Sequence, residues 1–146
     1  MKRSQPLRRG KPLQRRKPVP KQRQKPPGVP KERTRKAAQA YTALRRLVCE
    51  RADHRCERCG TSLLSGFECH HRRLRSQGGR DDAQTCVALC GACHRWAHAH
   101  PADATLTGWI VRSRIEPAVV PVQLHDGRTV LLLEDGGYNV LIWPTT

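Results

Sequence analysis

The chain has 146 residues, enough for one compact domain and a tail, with a core small enough that a metal staple would help hold it. Its formal net charge of +16 asks for a polyanionic partner, nucleic acid first, because each phosphate neutralised releases condensed counterions. No apolar run approaches transmembrane length and no amphipathic helix with aromatic anchors accompanies the charge, so a membrane partner is not expected.

Residues 1–31 read as a disordered basic tail. Fifteen Lys and Arg against one acid, Glu32, fall within residues 1–36, and all seven lysines are among them. Seven prolines from Pro6 to Pro30 and few large apolar side chains oppose compaction. A weak six-residue repeat sets Pro6, Pro12 and Pro18 among basic residues. Such a segment samples extended, polyproline-like conformations that suit a phosphate backbone, with Lys11, Arg15, Arg16 and Lys17 as contacts. A localisation-like address and a solvated tail without function are the other readings. No apolar stretch follows the charges, so a secretory signal is not expected and the setting is read as intracellular, in the cytoplasm.

From about Glu32 to Ala52, Ala37, Ala40, Tyr41, Leu44, Leu47 and Val48 recur at three- and four-residue spacing. This predicts a helix whose apolar stripe covers one side of a small core. Next come two C-x2-C knuckles, Cys56/Cys59 and Cys90/Cys93. Two intervening residues let a tight turn aim both sulfurs at one ion, and four thiolates close a tetrahedral site, the chemistry of a structural zinc. Two disulfides would instead require an oxidising compartment.

Between the knuckles, 67–72 is expected as a short strand ending on Cys69-His70-His71-Arg72. Adjacent histidines on an extended segment point to opposite sides, so one can hold a metal while the other faces a substrate water. A polar loop carrying Gly78-Gly79 follows, then a strand over 86–89 and a helix from Cys90 to about His100, which Pro101 ends. On that helix His94 and His98, four apart, share a face. Three imidazoles with an open position make a catalytic metal geometry; solvated surface histidines or extra zinc ligands are the alternatives. Cys49, Cys69 and Cys86 read as packing residues.

After residue 100 the pattern becomes β-rich. Runs over 119–124, 129–134 and 138–143 are separated by His125-Asp126-Gly127-Arg128 and Asp135-Gly136-Gly137, which predicts an antiparallel meander with Pro121 on an edge strand. Trp109-Ile110-Val111 can add a further strand. No catalytic constellation is visible here.

Over about residues 50–100 the succession C-x2-C, His-His, a Ser-x-Gly-Gly-like loop, a short apolar strand and Cys-x2-Cys-His-x3-His resembles the HNH endonuclease family. The resemblance implies a zinc-stapled ββα-metal, treble-clef-like core; with the preceding helix, over 32–100, and the predicted β extension over 101–146, the fold expected is α+β. It implies that His71 is the general base, that His70 and His94 are ligands of a catalytic divalent ion, and that His98 is a third. That ion is left open among Mg2+, Mn2+, Ni2+ and Zn2+. By position Thr85 stands where the family has asparagine; a hydroxyl is shorter and lacks the amide, which neighbouring Gln84 could supply instead.

The implied activity is metal-dependent hydrolysis of DNA phosphodiesters, leaving 5′-phosphate and 3′-hydroxyl ends, with weak sequence preference and no small-molecule cofactor. Arg72, Arg73, Arg75 and Arg95 are candidates for gripping phosphates, each with a plain reading as surface charge. The layout is also similar to small phage-type HNH proteins, some of which work beside a genome-packaging terminase. Two rivals are a zinc-dependent nucleic-acid-binding module without turnover, motivated by Thr85, and an adaptor that works through its β extension.

Overall fold

The structure, a computed structural model, describes residues 31–142. The tail with Lys11, Arg15, Arg16 and Lys17, and Trp143 at the expected end of the last strand, lie outside the described residues. Helix α1 spans Lys31–Arg51, close to expectation, but only its second half is packed. Ala37 and Ala40 are exposed, Tyr41 is half-buried, and burial is complete only from Leu44 through Val48 and Cys49 to Ala52. The predicted stripe is real where the core reaches it, and it projects beyond the core at its start.

Strands β1 (Glu68–His71) and β2 (Cys86–Leu89) pair antiparallel, with Cys69 opposite Ala88 and His71 opposite Cys86. All four residues of β2 are buried, so Cys-Val-Ala-Leu reads as a continuous apolar run rather than an alternating one. Helix α2 (Gly91–Ala99) begins at once, capped by the Cys90 sulfur, which accepts from the Cys93 amide. Pro101 ends α2 as expected, but it also opens a further helix, α3 (Pro101–Leu106), because proline's fixed φ and missing N–H suit a first helical position.

The meander is present: β3 (Val122–Gln123), β4 (Thr129–Leu132) and β5 (Tyr138–Val140) lie in that order, antiparallel. The first strand is shorter than predicted because Pro117–Val119 forms a 3-10 turn and Pro121 cannot donate to a ladder. Trp109–Val111 is not a strand, although the Val111 amide donates to the Arg72 carbonyl at 2.7 Å, tying this segment to the end of β1. Leu44 and Val48 of α1, Val87 and Leu89 of β2, Ala97 of α2, Trp109, and Val122, Val130 and Leu132 of the meander share one apolar cluster. The result is the expected α+β arrangement, with the meander seated on the ββα unit.

Two buried ionic side chains hold these parts together. Arg72 is 0% exposed and spends its guanidinium on carbonyls, with Nε to Gly108 and Nη2 to Val120 at 2.6 Å each and Nη1 to Pro117 at 3.3 Å. The expectation that Arg72 grips phosphate is corrected: its charge faces inward, bracing the segments that lead into β3. Glu57, inside the first knuckle, pairs with Arg51 of α1 at 3.0 Å, both side chains being 1% exposed. It also accepts from the Ala88 amide and the Tyr138 hydroxyl at 2.6 Å each. One carboxylate thus joins helix, knuckle, β2 and β5. Glu57→Ala leaves the Arg51 cation buried without its partner and is expected to cost about 3–5 kcal/mol, read as a lowered urea midpoint at constant m-value.

Candidate metal and active centres

The two knuckles meet as their spacing predicts. Ligand atoms of Cys56, Cys59, Cys90 and Cys93 all lie within 4.8 Å of one another, and none of the cysteines forms a disulfide. A tetrahedral ion with metal–sulfur bonds of ~2.3 Å sets its sulfurs ~3.8 Å apart. Cys59 and Cys90 Sγ are 3.8 Å apart, the spacing such an ion sets, and the remaining sulfurs lie within 4.8 Å of them. The first turn closes through a 2.8 Å bond from the Gly60 amide to the Cys56 carbonyl, with Gly60 at φ 73°, a conformation that favours glycine. Arg58, between the first pair, donates to Cys93 Sγ at 3.4 Å while its guanidinium lies 3.5 Å above the Trp96 ring. It lowers the cost of gathered thiolate charge, a role that its position in the knuckle did not advertise.

The second centre is built by β1 and α2. His70 is buried, and its Nε2 lies 2.9 Å from the Trp109 carbonyl. A carbonyl only accepts, so Nε2 carries the proton and Nδ1 is left with the lone pair. Ligand nitrogens of His70, His94 and His98 lie within 4.8 Å of one another. His94 and His98 Nε2 approach to 3.2 Å, so a proton or a shared cation must lie between them. Two imidazoles bound at ~2.0–2.1 Å in a tetrahedral site sit ~3.3 Å apart, which this pair matches. Burial, with His94 and His98 adding, pushes the His70 imidazole down to about 4 against the pull of the Trp109 carbonyl. Burial and then His98 lower His94 as well. Both therefore stay in the neutral, ligating form.

His71 follows His70 in β1, with its side chain 10% exposed. Its Nε2 lies 2.7 Å from Asp81 Oδ1, its ring stacks on Tyr41 at 6.3 Å between centroids, and Arg75 reaches the same Asp81 oxygen at 2.6 Å. The guanidinium of Arg75 also lies over Tyr41 at 4.8 Å. A cavity of about 200 Å³ is lined by Cys69, His70, His71, Leu74, Arg75, His94 and His98. Although their side chains alternate along β1, both histidines of the pair reach this one opening.

The other predicted site residues divide. Arg75 lines the cavity and Arg95 is exposed on α2 beside His94. Arg73 is largely covered, its guanidinium engaged by the Ile115 carbonyl and Glu116, so it faces the β extension rather than the cavity. Thr85 is buried and not part of the cavity wall; its amide donates to Asp82 Oδ1 at 2.8 Å and its carbonyl accepts from the Arg72 amide at 2.8 Å. The loop is thus secured through the Thr85 backbone and the Asp82 carboxylate. Gln84 contributes its carbonyl to Arg72 at 3.5 Å.

The knuckle pair, the histidine cluster and the two-strand-plus-helix frame coincide in one segment. Residues 56–100 match the model of the HNH endonuclease family. The match begins at the first cysteine of the first knuckle and ends one residue beyond α2. No curated protein and no solved structure matches the chain. The HNH segment supports a nuclease-type function, and its donor clusters support a bound metal ion. No described helix is long and apolar enough to cross a membrane.

Proposed function

We propose that the chain is a metal-dependent HNH endonuclease hydrolysing DNA phosphodiester bonds, with zinc on the four cysteines and a divalent ion on His70, His94 and His98. The observation carrying this reading is the cavity that His71 and Arg75 share with the three-imidazole cluster. When bound there, the divalent ion supplies charge neutralisation for the phosphate and the departing oxygen. His71 takes a proton from the attacking water at an unprotonated ring nitrogen, for which an imidazole suits neutral pH. The water oxygen bonds to phosphorus as the bond to the 3′ oxygen breaks, and that oxygen is protonated from solvent. Arg75 and Arg95 hold phosphate oxygens at the mouth.

Among the described residues no base-reading element is aimed from this site, so weak sequence preference goes with the reading. Resemblance to small phage-type HNH proteins makes phage DNA processing or packaging, beside a terminase, the proposed setting. The test is a supercoiled-plasmid assay at low salt across magnesium, manganese, nickel and zinc. Nicking or linearisation that requires a divalent ion and stops on chelation is the expected result. A folded, zinc-loaded protein that retards DNA but cuts in none of these metals would overturn it in favour of a binding module.

A further inference from the structure

Asp81 is a polar residue of the loop between β1 and β2, ten positions from His71, and nothing in its spacing marks it. The loop brings it back through a sharp reversal at Gly78 and Gly79. Gly78 has φ 83°, and a Cβ on Gly79 would lie 1.9 Å from the Arg73 carbonyl oxygen, so only glycine lets the chain pass this close to the end of β1. The amides of Gln77 and Gly79 both donate to the Leu74 carbonyl, at 2.8 and 3.0 Å, fixing the turn. Beyond it, Asp82 anchors the Thr85 amide, so Asp81 is held from both sides.

From these contacts we infer that Asp81 is the positioning residue for His71: its carboxylate accepts the Nε2 proton, fixes the tautomer and leaves Nδ1 as the nitrogen that takes the proton from water. The inference rests on the nuclease reading for its chemistry, but its geometry stands alone. An ionised carboxylate has no proton to give, so the 2.7 Å contact requires Nε2–H as donor. Arg75 Nε lies 3.3 Å from the same Nε2, but it cannot also donate to a nitrogen that already carries its proton. What Arg75 does is donate to Asp81 Oδ1 at 2.6 Å; partial burial raises the carboxyl, but the hydrogen bonds from His71 and Arg75 together outweigh it and hold the group below its usual range. His71 Nδ1 has no hydrogen-bond partner among the described residues. The ring is further confined by its stacking on Tyr41, which also lies under Arg75. Asp81, Arg75 and Tyr41 therefore orient one imidazole from its Nε2 edge and one face, while the opposite nitrogen is free for chemistry.

The inference is tested by two readouts on the zinc-loaded full chain. The first is the imidazole tautomer of His71 from ¹⁵N shifts, at a pH where the ring is neutral: Nε2–H is expected in the wild type and a mixture in Asp81→Ala. The second is a kinetic cycle of His71→Ala, Asp81→Ala and the double variant. Asp81→Ala should lower kcat about tenfold or more with KM little changed, a loss bounded by the ~10²–10⁴-fold that the base itself supplies. Because Asp81 acts through His71, the double variant should be no slower than His71→Ala, and Asp81→Glu should recover part of the rate. An Nδ1–H tautomer in the wild type overturns the inference, as does an active enzyme whose kcat is unmoved by Asp81→Ala or whose losses simply multiply. If the wild type cuts nothing, the nuclease reading fails, and the tautomer alone decides the contact.

Discussion

Cys93→Ser, or stripping the thiolate site with a strong chelator, is expected to unfold the domain rather than weaken it. Three observations make this effect the largest. The four sulfurs are not an appendage: Cys56 and Cys93 are buried in the shared apolar cluster and Cys90 caps α2, so losing the ion releases the turn before β1 from the start of α2. Gathered thiols without a cation repel on ionisation: burial pushes Cys56 and Cys93 up, and although Cys59, despite its own burial, is held down to about 6 by hydrogen bonds led by those from Thr61, the bare site resists reaching its fully charged form. Finally, binding of a structural zinc contributes roughly 10–16 kcal/mol in small domains, whereas the whole stability of a domain is about 5–15 kcal/mol. The metal term is as large as the total. Metal analysis should find the thiolate-bound ion lost in the variant, and thermal melting by circular dichroism should show no cooperative transition. A Cys93→Ser protein that is folded and metal-free would remove the thiolate cluster from the account of stability.

How much of this was legible in the chain depended on whether an interaction is local. The knuckles, His94 and His98 on one face of α2, and the Asp-Gly and Gly-Gly turns of the meander are set by spacings of two to four residues, and each is where the sequence puts it. Arg72 went the other way. Flanked by His71 and Arg73, it reads as part of a basic surface, but all but one of the carbonyls that claim it belong to residues 108–121, and a one-dimensional pattern carries no record of them. Asp81 and Glu57 were missed for the same reason. Each is an ordinary acid in a polar loop or turn until the fold sets a particular cation or imidazole against it. A signal did exist for Glu57: an acid locked between the two cysteines of a C-x2-C knuckle has little freedom to reach water, so a buried partner was to be sought. α1 was only half legible because periodicity reports which face is apolar and not how far the core extends along it.

His71→Ala and His94→Ala are expected to remove cleavage for different reasons, and metal titration separates them. His71 has no place in the three-nitrogen cluster; its partners are Asp81, Arg75 and the face of Tyr41, so truncation deletes a proton acceptor and leaves the ligands of the ion in place. A positioned general base contributes about 10²–10⁴-fold, and that fraction of kcat should disappear while metal content and melting temperature stay near those of the wild type. Raising the divalent ion should recover nothing, because occupancy was never lost. His94 is one of three nitrogens within 4.8 Å, and without it the cluster keeps two imidazoles, one of them held in its ligating tautomer by the Trp109 carbonyl. Its loss therefore acts first on affinity, and cleavage should return in part as the divalent concentration is raised. If instead His71→Ala is rescued by metal and His94→Ala is not, the two roles are exchanged, and the base must be sought on α2 rather than at the end of β1.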